Sequence, residues 1–151
     1  MRTAPAVAAV ALLALAVAPL PASETPAKSL YDRLGGEAAI RKVVDDFVAA
    51  AAPDPAVDFT RGGTWQATPA AVERLKQHLV AFVAQAAGGP KNYTGRTMKA
   101  THAGMKITQA QFDALAGHLE AALTKNGVPA GETKELMKIA ASTAPDIVEV
   151  R

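Results

Sequence analysis

Residues 97–111 run Thr97-Met98-Lys99-Ala100-Thr101-His102-Ala103-Gly104-Met105-Lys106-Ile107-Thr108-Gln109-Ala110-Gln111, and they place one histidine on a short helix directly ahead of a longer one. The spacing predicts a helix over 97–105 with Met98, His102 and Met105 on one side. Thr108 followed three residues later by Gln111 is a capping box, so a new helix starts there. Its apolar face is Phe112, Leu115, Leu119, Ala122 and Leu123, and it stops at Asn126-Gly127 with Pro129 beyond.

The same punctuation divides the chain upstream. Gly88-Gly89-Pro90 ends a helix that opens with Thr68 as N-cap and Pro69 in the first position, where proline is tolerated. Val72, Leu75, Leu79, Phe82 and Val83 form its apolar face. Residues 54–68 are a loop without period, holding Phe59, Gly62-Gly63 and the single tryptophan, Trp65. A helix over 37–52 puts Ile40, Val43, Val44, Phe47 and Val48 on one buried stripe. Leu30 to Leu34 is a turn or two of helix stopped by Gly35-Gly36. Downstream, a last helix over 130–144 faces Leu136 and Ile139 inward. Nothing alternates with period two, so the expectation is one all-α domain of five or six helices.

Residues 1–22 form a separate unit. Arg2 is followed by an apolar run over 6–18 and then by Pro19, Leu20, Pro21 and Ala22, the layout of a secretory signal peptide. The run is shorter than the ~20 residues needed to span a bilayer. An exported, periplasmic or secreted protein is expected, cut after Ala22, with 23–28 a flexible leader, 29–151 the folded domain, and no membrane contact once the signal is removed.

Composition narrows the chemistry. The chain has 151 residues, 50% of them apolar and only 5% aromatic, with a formal charge of +2. No Lys/Arg stripe interleaved with aromatics is present, which argues against a nucleic-acid partner. There is no cysteine. That excludes disulfides, thiolate metal sites, cysteine nucleophiles and Cys-x-x-Cys-His haem attachment. There is also no Ser/His/Asp set, phosphate loop or paired-carboxylate site. Asp45-Asp46 is expected on a solvated helix face.

The histidines are His78, His102 and His118. Zinc wants three or four protein ligands, whereas haem supplies four nitrogens and needs one or two axial ligands. His102 among apolar neighbours therefore suits a haem iron better than zinc. A core histidine bonded to a carbonyl satisfies the same pattern, since an unpaired buried imidazole costs about 1–3 kcal/mol, and periodicity does not choose between the two. His78 lies about 80° from the centre of its helix stripe. His118 has a similar edge position and reads as a solvated or flanking residue.

Several segments resemble one family in order and spacing. Leu30-Tyr31-Asp32-Arg33-Leu34-Gly35-Gly36 is similar to the opening of group 1 truncated haemoglobins. Gly88-Gly89-Pro90, then Tyr93-Thr94-Gly95-Arg96-Thr97-Met98, resembles the family's turn and pre-proximal stretch. Residues 101–108, with Phe112-Asp113, are similar to its proximal segment, and Gly127-Val128-Pro129 to the start of its last helix. The resemblance runs from about Leu30 to Val148.

That resemblance implies a two-over-two helical sandwich around one non-covalent haem b. His102 would be the proximal iron ligand, and His78 falls on a distal position that some members use as a second ligand. Phe59 falls near the phenylalanine that packs on the porphyrin, in a loop longer than usual. Leu75 and Leu79 flank the distal side. Arg74, Tyr93, Arg96 and Lys99 lie where side chains reach the haem edge or propionates. Phe47, Phe82 and Met98 belong to the apolar enclosure. The family's distal tyrosine is replaced by Val48, and a common glutamine by Leu75. Neither polar group is there to hydrogen-bond bound dioxygen, so oxygen storage and nitric-oxide dioxygenation do not carry over directly, while oxygen binding and oxygen transport stay among the expectations. His78 and Trp65 are the remaining candidates.

Three functions follow. The first is a haem protein that binds a diatomic gas, oxygen or nitric oxide. The second is an electron-transfer or redox protein with His78 and His102 both on iron and a protein redox partner such as a cytochrome. The third is a haem-free helical interaction domain. Nitric-oxide or peroxide chemistry at haem stays open as an activity.

Overall fold

The computed structural model describes residues 27–150; the signal-peptide expectation for 1–22 and most of the leader lie outside them. The described residues form seven helices and no strand: α1 (Leu30–Leu34), α2 (Gly36–Ala51), α3 (Pro69–Ala86), α4 (Met98–His102), α5 (Gln109–Lys125), α6 (Ala130–Ser142) and α7 (Ala144–Ile147). The pairs α2/α3 and α5/α6 make the two-over-two sandwich, and α2 packs against both α3 and α5.

Local chemistry sets most of the boundaries. Ser29 caps α1, its Oγ accepting from the Asp32 N–H at 3.1 Å. Thr68 caps α3 by accepting from Ala71 N–H, with Pro69 at the first position. The capping box is present, with Thr108 Oγ1 accepting from Gln111 N–H at 3.1 Å and Gln111 Oε1 accepting from Thr108 N–H at 3.0 Å. Each oxygen satisfies an N–H that the first helical turn leaves without a partner.

Two boundaries differ from the sequence reading. The helix expected over 97–105 ends at His102, because Ala103 turns extended and Gly104 and Lys106 take positive φ of 80° and 52°. Met105 consequently leaves the helix face it was expected to share with Met98 and His102. The last helix breaks at Thr143, and Pro145 opens the separate short α7. A proline is tolerated in a first turn but not in a helix interior.

The core sits on α2. Ile40, Val43, Val44, Phe47 and Val48, the stripe expected from the sequence, are all buried, joined by Leu30, Val80, Ala84, Leu123 and Leu136. The faces of α3 and α5 are divided. On α3 the residues buried against α2 are Val80 and Ala84, while Leu75, Leu79 and Phe82 turn toward a cavity. On α5, Ala122 and Leu123 are buried and Leu115 and Leu119 line that cavity. Tyr31 explains why two distant motifs occur together. Its N–H bonds Ala87 O at 2.9 Å, and its ring lies so close to Gly89 that a Cβ there would fall 2.5 Å from the ring.

Polar ties join the layers at their edges. Arg33 bonds Glu132 and Glu135 on α6, and the two carboxylates raise the guanidinium pKa further. Asp45 and Asp46, expected on a solvated face, are engaged across helices. Asp45 pairs with Lys76 of α3 at 2.9 Å, and Asp46 takes Lys125 at 2.6 Å and Asn126 at 2.8 Å. Those bonds, Lys125 first, hold the Asp46 carboxyl below the usual range.

His118 likewise has a partner. Its Nε2 lies 2.6 Å from Asp54 Oδ2, tying loop 53–68 to α5. The hydrogen bond from His118, and then that from Ala56 N–H, depress the Asp54 carboxyl. A depressed carboxyl contributes stability above its ordinary pKa, about 3.9 for Asp, and loses it as pH falls through the folded value. Asp54→Asn is therefore expected to lower the melting temperature near neutral pH, with the gap to wild type closing in acid below that range. A gap that stays constant down to the acid limit would show that the pair does not act through ionisation.

Candidate functional site

α3 runs along one wall of an apolar cavity and α4 lies across from it. The cavity has two lobes of about 550 and 610 Å³. Phe47, Leu75, His78, Leu79, Arg96, Thr101, His102, Phe112, Leu115 and Ile147 line both. Such volumes are those of small-molecule and cofactor sites.

The local sequence explains how His102 is presented. Thr97 caps α4, its Oγ1 accepting from Ala100 N–H at 3.2 Å. Five residues then carry His102 to the last position of the helix. Its Nδ1 lies 2.8 Å from Met98 O, one turn back. A carbonyl only accepts, so Nδ1 carries the proton and Nε2 keeps the free lone pair. This is the arrangement a metal-bound imidazole needs, with the second nitrogen donating to an acceptor that fixes ring and tautomer.

Across the cavity the side chains of α2 and α3 are almost wholly apolar. Among those that line it, only Arg74 and His78 are polar. Val48 is 2% exposed in the core and lines neither lobe. His78 meets Tyr93 edge-on, with ring centroids 6.0 Å apart, and Tyr93 meets Phe82 in the same way at 5.6 Å. The Tyr93 hydroxyl donates to Arg96 O at 2.7 Å, which orders the turn ahead of α4.

The residues expected at the site are mostly brought together. Phe47, Leu75, Leu79, His78, Arg96 and His102 line both lobes; Phe82, Tyr93 and Met98 line the first, and Phe59 and Arg74 the second. Lys99 is exposed and lines neither. One residue along the five-residue α4 from Met98, its side chain projects from another face of the helix. Trp65 lines the second lobe and packs edge-on against Phe59 at 5.7 Å.

Other residues carry no sequence signal. Arg61, with φ of +53°, reaches from loop 53–68 to donate to Met105 O at 2.8 Å, while its buried Nε has no partner. Glu149, near the C-terminus, accepts from the N–H groups of Gly104 and Lys106, both at 2.6 Å. These two bonds lower the Glu149 pKa.

The donor set fits a haem. No cluster of three or more His, Cys, Asp or Glu side chains occurs among the described residues, so a metal held by protein ligands alone has no site there. One imidazole with a free Nε2 suffices for haem iron. Three arginines, Arg61, Arg74 and Arg96, line the cavity against a single carboxylate, Asp58, which suits a cofactor that carries carboxylates.

Comparison with known proteins identifies the family. The profile of the bacterial-like globin family matches residues 29–149. The group 1 truncated hemoglobin GlbN of Nostoc sp. is 42% identical over 106 residues, covering 70% of this chain and 85% of that protein. The corresponding protein of Mycolicibacterium paratuberculosis is 40% identical over 119 residues, 79% of this chain and 83% of its own. Among solved structures, the truncated hemoglobin of Tetrahymena pyriformis in its Fe(III) form superposes with a TM-score of 0.71 at 27% identity, covering 80% of this chain and 98% of that one. The 2/2 hemoglobin of Synechococcus sp., solved with covalently attached heme, gives 0.69 at 29% identity, with the same coverage of 80% and 98%. The fold, the cavity and the sequence matches agree: the chain belongs to the bacterial-like globin family, among relatives of the group 1 truncated haemoglobins, whose cofactor is haem b, one per chain.

Proposed function

We propose that this protein binds one haem b between α3 and α4, with His102 Nε2 as the proximal iron ligand, and takes a diatomic gas such as oxygen or nitric oxide on the opposite side. The observation that carries this reading is the His102 Nδ1–Met98 O bond on the wall of a largely apolar cavity. It leaves the ring one lone pair and one orientation.

When bound, haem supplies an iron centre that takes a small ligand or an electron. The chain's residues do the rest. Met98 O holds the His102 proton on Nδ1. Phe47, Leu75, Leu79, Phe112 and Leu115 exclude water from the cavity. Arg74 and Arg96 offer guanidinium groups to carboxylates at its rim. With Val48 in the core, the second helix has no hydroxyl for the gas site, and His78 is the distal imidazole.

His78 also favours a second reading, an electron-transfer or redox protein with two histidine ligands, because it lines the same two lobes as His102. The absorption spectrum of the ferrous, haem-loaded protein without added ligand separates them. For the gas-binding reading the spectrum is high-spin and unchanged by His78→Ala. Sharp low-spin bands that disappear in His78→Ala would establish the two-histidine form. A chain expressed with ample haem that stays colourless would overturn both.

A further inference from the structure

The five residues of α4 cannot hold His102 still by themselves, since a single helical turn is marginal without tertiary support. The support comes just beyond the histidine. Gly104 and Lys106 have φ of +80° and +52°. Residues that alternate into the left-handed region turn their N–H groups toward one point and make a small anion-binding concavity. The Glu149 carboxylate fills it, Oε1 on Gly104 N–H and Oε2 on Lys106 N–H, both at 2.6 Å.

The backbone of the same tail continues the attachment. Glu149 and Val150 N–H both donate to Ile107 O, at 2.9 and 3.1 Å, and Gln109 N–H donates to Val150 O at 3.2 Å. From the other side Arg61 donates to Met105 O at 2.8 Å. Residues 104–107 are thus gripped between the C-terminal tail and the loop after α2, and His102 is two residues away.

We propose that Glu149 is a positioning residue for the proximal histidine, its carboxylate closing the turn after α4 so that the His102 ring keeps one orientation toward iron. The inference rests on the haem reading given above. It assigns Glu149 no contact with haem, substrate or gas; it acts through the backbone of Gly104 and Lys106.

The test is resonance Raman spectroscopy of the full chain loaded with haem, recorded on the photodissociated carbon monoxide complex. There the distal side is transiently open whether or not His78 binds, and the stretching band of the iron–histidine bond is read directly. Glu149→Ala is expected to shift and broaden this band and to raise the rate of haem loss to an acceptor globin about tenfold, the scale for partners that orient a metal ligand. Glu149→Gln, whose amide offers one acceptor oxygen instead of two, is expected to give a smaller shift. Asp146→Asn removes another carboxylate of the same tail, on α7, and leaves the band unchanged. Should Glu149→Ala fail to fold by circular dichroism, the glutamine variant decides. An unmoved band in a folded Glu149 variant overturns the inference. A wild-type chain with no haem absorption band overturns the cofactor reading and this inference with it, so the two failures are told apart by the visible spectrum.

Discussion

Replacing His102 by alanine is expected to weaken haem binding by more than about a hundredfold. Loss of an outer partner that merely orients a metal ligand costs about 10- to 100-fold, and His102→Ala removes the ligand. The fold should survive. The imidazole is half-buried, Thr97 caps α4 independently, and the substitution breaks just one hydrogen bond within the protein, that to Met98 O, worth about 0.5–1.5 kcal/mol. Hemin titration followed at the Soret band measures the affinity, and added imidazole should restore part of the absorption by filling the space left. Haem binding at wild-type strength in His102→Ala would mean that another residue holds the iron, with His78 the first to be examined.

Leu123→Ala is expected to produce the largest loss of stability, about 3–5 kcal/mol. Leu123 is 1% exposed and is the largest fully buried side chain among the described residues. It stands on α5 facing α2, beside Leu34, Ile40, Val43 and Leu136 around a void of only about 20 Å³. Tight surroundings relax little, so truncation leaves most of its volume empty, and Leu→Ala substitutions of this kind cost about 2–5 kcal/mol. Urea unfolding of the haem-free chain is the appropriate measurement, because bound ligand adds its own stabilisation. A change in midpoint equivalent to less than about 1 kcal/mol would contradict the packing described for this layer. Unlike His102→Ala, this substitution lies outside the cavity, so its effect on haem affinity should follow only from the altered folding equilibrium.

Leu123 and His102 show how the fold and the site were legible to different degrees. Leu123 belongs to a stripe of period 3.6, and such stripes, with Thr68, Pro69, Thr108 and Gln111 at the helix starts, depend only on neighbours in sequence. Helix type and most boundaries follow from them, while the break that makes a seventh helix at Thr143 was not expected. His102 was legible as a candidate because a lone histidine on a short helix has few uses and its flanking residues resemble a proximal segment; the cavity that it lines came from the tertiary structure. His118 read as solvated or flanking and the Asp45-Asp46 pair as a solvated face, since nothing local indicates that Asp54, Lys76 and Lys125 come to meet them.

Glu149 and Arg61 mark the limit of local information. Their partners, Gly104 and Lys106 for one and Met105 for the other, are backbone groups about forty residues away in sequence. A backbone N–H or carbonyl is the same for every residue type and leaves no trace in composition or spacing. By itself the chain's sequence determined an all-α domain with glycine-closed corners and one histidine on a short helix among apolar neighbours, because hydrophobic period and capping chemistry act over a few residues. Tertiary structure alone decided which faces of α3 and α5 line the cavity, that Lys99 stays off its wall, and what holds the turn behind His102. Those outcomes depend on which helices meet and on where chain ends and loops deliver a single carboxylate or guanidinium.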